Sequence, residues 1–298
     1  FHLQINVTMT DLNKMLHNFP FNNTLPETEL AVRAVKEAGD AVMKIYRHDF
    51  TTTFKKDNEP LTEADLKSNN IIQKILASTG YPILSEESLD DKKRLGCDKI
   101  WIIDPLDGTS DFVSKSGEFT IMIALVEKHE PILGVIYWPT NDILYVAQKG
   151  GGAHKFVTGV WEKLTISKRS EPHNCRALGS RHHLSSQEIN FLKLLNVEKF
   201  SERGSSLKVI DVCSGTAELY FTMTNKIKQW DTCASNCLIV EAGGKMTDML
   251  GNELEYNTEN IYHKNGILVT NGIIHDIITD RYNEFLRKMK NDDLSELK

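Results

Sequence analysis

The chain has 298 residues, of which 40% are hydrophobic and 26% charged, an ordinary globular composition near the size limit of one core. Its net charge of −6 argues against a general nucleic-acid binder, and no apolar run approaches the roughly 18 residues of a membrane span. Residues 1–10 lack the charged start and apolar core of a signal peptide.

The predicted elements begin at Thr24-Leu25-Pro26-Glu27, which reads as a capping box with proline in the first turn. The helix it opens should run to about Arg47 and bury Leu30, Val32, Val35, Ala38 and Val42. A Thr-rich loop with Lys55 and Lys56 follows over residues 51–60. Thr62-Glu63-Ala64-Asp65 caps a second helix, with Ile71, Ile72, Ile75 and Leu76 on its apolar side. Asp65 falls in the first turn, where the helix dipole favours the ionised form. Residues 81–84 form a short strand with Ser85-Glu86-Glu87 at its end.

Residues 100–103 are a continuous apolar run, hence a buried strand. The strand should stop at Asp104, because Pro105 cannot donate to a ladder. Asp107, Gly108 and Thr109 come next, and Ser110-Asp111-Phe112 is suited to open a helix. Two carboxylates thus stand at a strand end beside free backbone N–H groups. Two readings are open here. One is a solvated Asp-Pro turn. The other is metal-assisted chemistry on a phosphate ester, since carboxylates hold hard divalent cations and helix-start N–H groups hold phosphate.

Residues 119–127, 132–138 and 143–148 are apolar or alternating and joined by short turns, a β-meander and therefore antiparallel sheet. Gly150-Gly151-Gly152 ends the third strand. Residues 154–170 keep weak strand character, and a domain junction is placed there, giving domains 1–160 and 161–298. In the second half, 176–179, 245–248 and 266–270 read as strands. Residues 185–195, 207–219, 232–242 and 274–290 read as helices, the third stopped by Gly243-Gly244. Ile274, Ile277, Ile278, Phe285 and Met289 share one side of the last.

Five cysteines, Cys97, Cys175, Cys213, Cys233 and Cys237, include no CxxC pair, which predicts reduced thiols and a cytoplasmic protein. Cys233 and Cys237 are spaced for one helix face, where packing is the expected use. Two sequons, Asn6-Val7-Thr8 and Asn22-Asn23-Thr24, read as chance matches in such a compartment.

Acidic residues recur at element ends: Asp65, Glu86, Asp104 with Asp107, and Asp231. Singly, each suits a cap or a solvated turn. Asp104-Pro105-Leu106-Asp107-Gly108-Thr109 together with Trp230-Asp231 and Gly243-Gly244 resembles the paired signatures of the lithium-sensitive inositol monophosphatase superfamily. Thr62-x-x-Asp65 and Ser85-Glu86-Glu87 stand in the order that this resemblance requires. It implies an α/β (α+β) fold, a layered αβαβα sandwich with an antiparallel sheet in the first half and a smaller mixed sheet in the second. It also implies that Glu86, Asp104, Asp107, Asp231 and the Leu106 carbonyl hold two or three Mg²⁺ ions. Glu86 is preferred to its neighbour Glu87. By the same resemblance Asp65 and Thr109 activate the attacking water, and Asp107, Gly108 and Thr109 hold the scissile phosphate. Most metal ligands then fall in domain 1–160, with Asp231 and the nucleotide contacts in 161–298.

Within the superfamily, inositol monophosphatases carry an acid a few residues before the Trp-Asp. Residues 222–229 contain none; they contain Lys226 and Lys228. Ser180-Arg181-His182-His183 and Ser205-Ser206-Leu207-Lys208 resemble the Ser-Arg-x-His and Ser-x-x-Lys of the 3'(2'),5'-bisphosphate nucleotidase branch. The resemblance gives Ser180, Arg181, His183, Ser205, Lys208 and Asp231 as substrate contacts. It implies hydrolysis of 3'-phosphoadenosine 5'-phosphate to AMP and phosphate, with activity on its sulfated form and on inositol 1,4-bisphosphate in similar enzymes. The expected partner is this small adenosine bisphosphate, with no nucleic acid and no membrane, in a monomer or weak homodimer. Inositol monophosphatase or broad sugar phosphatase activity is the alternative.

Overall fold

The computed structural model describes residues 15, 16, 18–55 and 59–296; the readings made on residues 1–10 and on Lys56 lie outside them. Five layers stack in sequence. Helices α1 (Pro26–Tyr46) and α2 (Glu63–Leu76) cover one face of a seven-stranded sheet. That sheet holds β3 (Ile83–Ser85), β4 (Lys99–Asp107), β5 (Thr120–Glu127), β6 (Glu130–Trp138), β7 (Ile143–Gln148), β8 (Gly152–Val157) and β9 (Val160–Lys163) side by side in chain order. A hairpin of β1 (Thr52–Phe54) and β2 (Pro60–Thr62) leads into α2, and the short helix α3 (Thr109–Val113) follows β4.

The second half adds β10 (Arg176–Ser180), α4 (Ser186–Leu194), β11 (Lys199–Arg203), α5 (Leu207–Cys213), β12 (Leu219–Thr222), α6 (Gln229–Glu241), β13 (Lys245–Thr247), β14 (Ile267–Thr270) and α7 (His275–Glu296). Its five strands run in the order β11-β10-β12-β14-β13, with β10 parallel to β11 and β12 and the rest antiparallel. Helices α5 and α6 lie between the two sheets, and α4 and α7 close the outer face. The order is therefore αβαβα. Among the described residues no helix is long and apolar enough to cross a membrane.

The layering explains why β4 is continuously apolar over residues 100–103. Ile100 and Ile102 face the core shared with α6, while Trp101 and Ile103 face the core under α1 and α2. A strand buried on both faces loses the alternation of a half-exposed one. Gly134 on β6 lets α6 close in: a β-carbon there would lie 2.5 Å from the Ala234 carbonyl oxygen. All five cysteines are free, and Cys233 and Cys237 are both buried in α6.

Several expectations change. Leu25, not Thr24, precedes α1, and its N–H donates to Gln148 Oε1 at 2.8 Å. Leu30 is only half-buried, and Ile277 is 41% exposed beside buried Ile274 and Ile278. Helix α5 ends at Cys213, not at 219; Gly215 at φ 68 turns the chain out, and Leu219 opens β12. Strand β11 was not expected, because Lys-Phe-Ser-Glu-Arg at a sheet edge carries no apolar pattern. β4 continues past Pro105. The ladder pairs Asp104 with Met122 and Asp107 with Thr120, so the two residues between form a bulge, where proline is tolerated.

Two histidines sit in polar niches of this frame. His263 Nε2 lies 2.8 Å from Thr232 Oγ1, and the ring nitrogens of His275 lie 2.9 Å from Thr247 and Thr270. Burial pushes both imidazoles down to about 4, with Lys245 adding to the effect at His275. A depressed imidazole binds fewer protons folded than unfolded between the unfolded value of 6.5 and about 4. Stability is therefore expected to be full above the upper value and to fall as pH drops through this window. His263 alone should account for on the order of 3 kcal/mol by pH 4. Urea midpoints from pH 7.5 to 4 measure it; replacing His263 by glutamine should flatten the slope, and an unchanged slope would contradict this assignment.

Candidate active site

The acidic residues converge because of strand direction. β3 and β4 are parallel neighbours, so Glu86, just past β3, comes up beside the carboxyl end of β4. There the bulge separates Asp104 from Asp107 by one turn of chain. Asp231 reaches the same place from the first turn of α6, its Oδ2 accepting the Lys228 N–H at 2.7 Å. Glu86, Asp104, the Leu106 backbone, Asp107, Gly108, Thr109 and Asp231 line one cavity of about 800 Å³.

Burial comes first among the causes that hold Asp104 well above the ordinary carboxylate range; the charges of Glu86, Asp107 and Asp231 follow. Asp231 is raised in the same way, by burial and then by Glu86. Lys55 answers this charge on the Glu86 side, its Nζ lying 2.7 Å from Glu86 Oε1 and 2.5 Å from Glu87 Oε1, and Lys228 answers it at Asp231. Among the described residues no three acidic, histidine or cysteine side chains close round one point.

Asp65 stands beside this floor. Thr62 and Asp65 form the capping box that starts α2, and Thr109 Oγ1 donates to Asp65 Oδ1 at 3.0 Å. The same hydroxyl lies 3.2 Å from the Leu106 carbonyl oxygen. The helix start alone would favour an ionised Asp65. Burial outweighs it and the hydrogen bonds from Thr62 and Thr109, and the carboxyl is raised. A raised carboxyl beside a polarised hydroxyl is suited to accept a proton.

The same cavity also carries basic and hydroxyl side chains. Ser180, His182, His183, Ser205, Ser206, Lys208, Lys226 and Lys228 line it. Lys208 is nearly enclosed. Its Nζ donates to the Ser205 carbonyl at 2.6 Å and lies 3.4 Å from that of Arg203. Burial pulls its pKa down from the usual lysine range. His183 is lowered by burial first, then by His182 and Lys208. Arg181 is not brought to the cavity wall. Its guanidinium pairs with Asp111 at 2.5 Å and with Glu118 at 2.6 Å.

Four further residues not picked out from sequence, Ser206, Thr120, Glu118 and Arg203, support this floor, and of them only Ser206 lines the cavity. Asp107 Oδ2 accepts from Ser205 Oγ and the Ser206 N–H, both at 2.5 Å, and Thr120 Oγ1 bridges the two serines. Glu118 and Arg203 lie behind that turn. The visible signal for Glu118 was a single acid between Gly117 and an apolar strand.

A family model of the inositol monophosphatase family matches residues 24–288. The chain belongs to this family. The 3'(2'),5'-bisphosphate nucleotidase CysQ of Buchnera aphidicola is 36% identical over 227 residues, covering 74% of this chain and 84% of that protein. CysQ of Escherichia coli K12 is 34% identical over 242 residues, covering 79% and 96%. Among solved structures, CysQ from Bacteroides thetaiotaomicron, a bacterial member of the family, superposes with a TM-score of 0.69 at 32% identity, over 81% of this chain and 96% of that one. The Thermotoga maritima IMPase gives a TM-score of 0.76 at 25% identity, over 89% and 99%.

The donor set of this inositol monophosphatase family member fits a hard divalent cation. It offers carboxylate and carbonyl oxygens only, the ligands such ions prefer. Its crowded carboxylates need a positive partner, and Lys55 already provides one on the Glu86 side. Metal dependence is a property of the family's enzymes.

Proposed function

We propose that this chain is a Mg²⁺-dependent 3'(2'),5'-bisphosphate nucleotidase, releasing the 3'-phosphate of 3'-phosphoadenosine 5'-phosphate to leave AMP. The observation that carries the reading is one cavity lined both by the carboxylates Glu86, Asp104, Asp107 and Asp231 and by Lys208, Lys226, Lys228 and His183. A monophosphate held through the carboxylates needs none of the second group. A second phosphate, remote from the reacting one, gives those basic side chains a purpose. The CysQ names of the relatives support the same substrate class.

Glu86, Asp104, Asp107, Asp231 and the Leu106 carbonyl would hold two or three Mg²⁺, which supply Lewis-acid charge for the attacking and leaving oxygens. The chain's own groups do the rest. Thr109, hydrogen-bonded to Asp65, polarises the attacking water, and Asp65 takes its proton. Gly108 and the N–H groups opening α3 face the transferred phosphate, while Lys208, Ser180 and His183 orient the remote one. Arg181 supports these residues through Asp111 and Glu118. Residues 1–160 thus bring most metal ligands, and residues 161–298 bring Asp231 and the nucleotide contacts. Five free thiols agree with action in a reducing cytoplasm.

The test is kcat/KM with Mg²⁺ on 3'-phosphoadenosine 5'-phosphate against inositol 1-phosphate. The bisphosphate should be preferred by at least tenfold, the value of one charge-assisted contact of about 1.5 kcal/mol. The reverse order would make the chain an inositol monophosphatase or broad sugar phosphatase. No turnover of either would leave a binding protein on this scaffold.

Lithium sensitivity, common in the family, should follow the chemistry of the cavity carboxylates. Li⁺ is small and hard like Mg²⁺ but carries half the charge, so it can take an oxygen site and do little as a Lewis acid. Inhibition is expected in the order Li⁺, Na⁺, K⁺, and to change as Mg²⁺ varies. Initial rates in the three chlorides at matched ionic strength measure it. Equal inhibition by all three would reduce the effect to charge screening.

A further inference from the structure

We propose that Glu118, which lies outside the cavity, is a positioning residue for Asp107: it fixes the turn at Gly204 on which the orientation of the Asp107 carboxylate depends. The proposal rests on the metal-dependent reading above, where Glu118 serves only as a partner of Arg181, and gives this residue a role toward Asp107.

Glu118 lies two residues before the start of β5, with Phe119 between. Its carboxylate gathers three donors from the second half of the chain. The Gly204 N–H is 2.8 Å away, Arg181 Nη2 2.6 Å and Arg203 Nη1 2.5 Å. On the other side of the same turn, Asp107 Oδ2 receives Ser205 Oγ and the Ser206 N–H at 2.5 Å each. Thr120 Oγ1 also points to Oδ2, at 3.4 Å. Among the described residues every hydrogen bond to Asp107 thus falls on one oxygen. Oδ1 is the oxygen left to serve the cavity.

The turn between these two carboxylates does not hold its shape unaided. Ser205 sits at φ 54, in the left-handed region that a β-carbon resists. Gly204 has no room for a side chain: a β-carbon would lie 2.5 Å from Asp111 Oδ2 and 2.8 Å from the Glu118 carbonyl oxygen. Four groups pin the turn: Glu118 at Gly204, Asp107 and Thr120 at Ser205 and Ser206, and Lys208 at the Ser205 carbonyl.

Removing Glu118 would not fall equally on its donors. Arg181 keeps Asp111, and Arg203 keeps Asp211 at 3.1 Å. Gly204 has Glu118 as its acceptor. The loss is therefore felt at the turn, and through Ser205 and Ser206 at Asp107. Groups that orient metal-binding carboxylates typically change metal affinity or activity by about 10- to 100-fold when removed.

The experiment titrates the metal-free protein with Mn²⁺, reading free Mn²⁺ by electron paramagnetic resonance, and measures kcat/KM on 3'-phosphoadenosine 5'-phosphate and on 3'-AMP. Glu118→Ala should bind Mn²⁺ about tenfold more weakly and lose activity equally on both substrates. Glu118→Gln keeps an oxygen for the Gly204 N–H but loses its charge, and should weaken Mn²⁺ binding only about threefold. Wild-type Mn²⁺ affinity in Glu118→Ala would overturn the proposal, as would a loss confined to the bisphosphate, which would place Glu118 behind Lys208 instead. If Glu118→Ala does not fold, Glu118→Gln decides by itself: a threefold weakening supports the role, and wild-type affinity removes it. Metal binding is read without substrate. A wild-type protein that hydrolyses neither ester would sink the nucleotidase reading and leave the Glu118 result standing.

Discussion

Replacing Asp104 or Asp231 by asparagine is expected to cut kcat/KM by roughly 10³-fold or more, with the fold intact. The magnitude follows from what a carboxylate does here. Several kcal/mol of transition-state charge stabilisation depend on holding cations at these carboxylates, and each 1.36 kcal/mol is about tenfold in rate. Asparagine keeps the volume and one oxygen but not the charge. Asp231 would keep its bond to the Lys228 N–H through that oxygen, so the start of α6 should survive. The metal-free protein should become more stable, because Asp104 lies buried among Glu86, Asp107 and Asp231, and like charges that close repel. Activity at saturating Mg²⁺ and urea midpoints without metal measure the two effects. Near-normal turnover in either variant would remove these residues from the chemistry. A fall in metal-free stability would mean that they hold the fold rather than the charge.

The same contrast explains what the sequence did and did not disclose. Asp107 and Asp231 are legible because each stands at the end or the beginning of an element, β4 and α6; Asp104 was expected at a strand end, yet the strand runs on through the bulge at Pro105, and only the buried run before it is legible. The layered fold is legible for the same cause. A strand such as β4, apolar at four successive positions over residues 100–103, needs a covered face on both sides, and the helices are there to supply it. What was not legible is set by contacts across long sequence distance. Leu25 displaces Thr24 at the start of α1 because Gln148, 123 residues away, takes its N–H. Glu118 meets Arg181 and Arg203, and nothing around residue 118 announces either. Arg181 reads as a ligand for phosphate from its motif, yet two carboxylates nearer to it decide where the guanidinium points. β11 is polar and pairs only at a sheet edge, so its strand character comes from β10 and not from its own residues.

Lys208 is where the acidic and the basic side chains of the cavity can be separated by experiment. Lys208→Met is expected to lower kcat/KM on 3'-phosphoadenosine 5'-phosphate by roughly 10- to 100-fold, and on 3'-AMP by far less. An ammonium has three donors. The Ser205 carbonyl at 2.6 Å and the Arg203 carbonyl at 3.4 Å account for two of them, and the cavity borders the third. A charge-assisted bond from that donor to a second phosphate is worth about 1.5–3 kcal/mol, which sets the range. Binding energy from a group that does not react can appear in kcat as well as in KM. Methionine keeps the length of the lysine stem while removing the ammonium, whose Nζ lies 5.2 Å from the centre of the Tyr220 ring, so most of the packing is retained and the charge is lost. A smaller common loss on both substrates is also expected, because Lys208 steadies the Ser205 turn that holds Asp107. The deciding quantity is therefore the ratio of the two kcat/KM values, which should fall by at least tenfold. An unchanged ratio would make Lys208 a support of the carboxylates alone, and the second phosphate would need another partner.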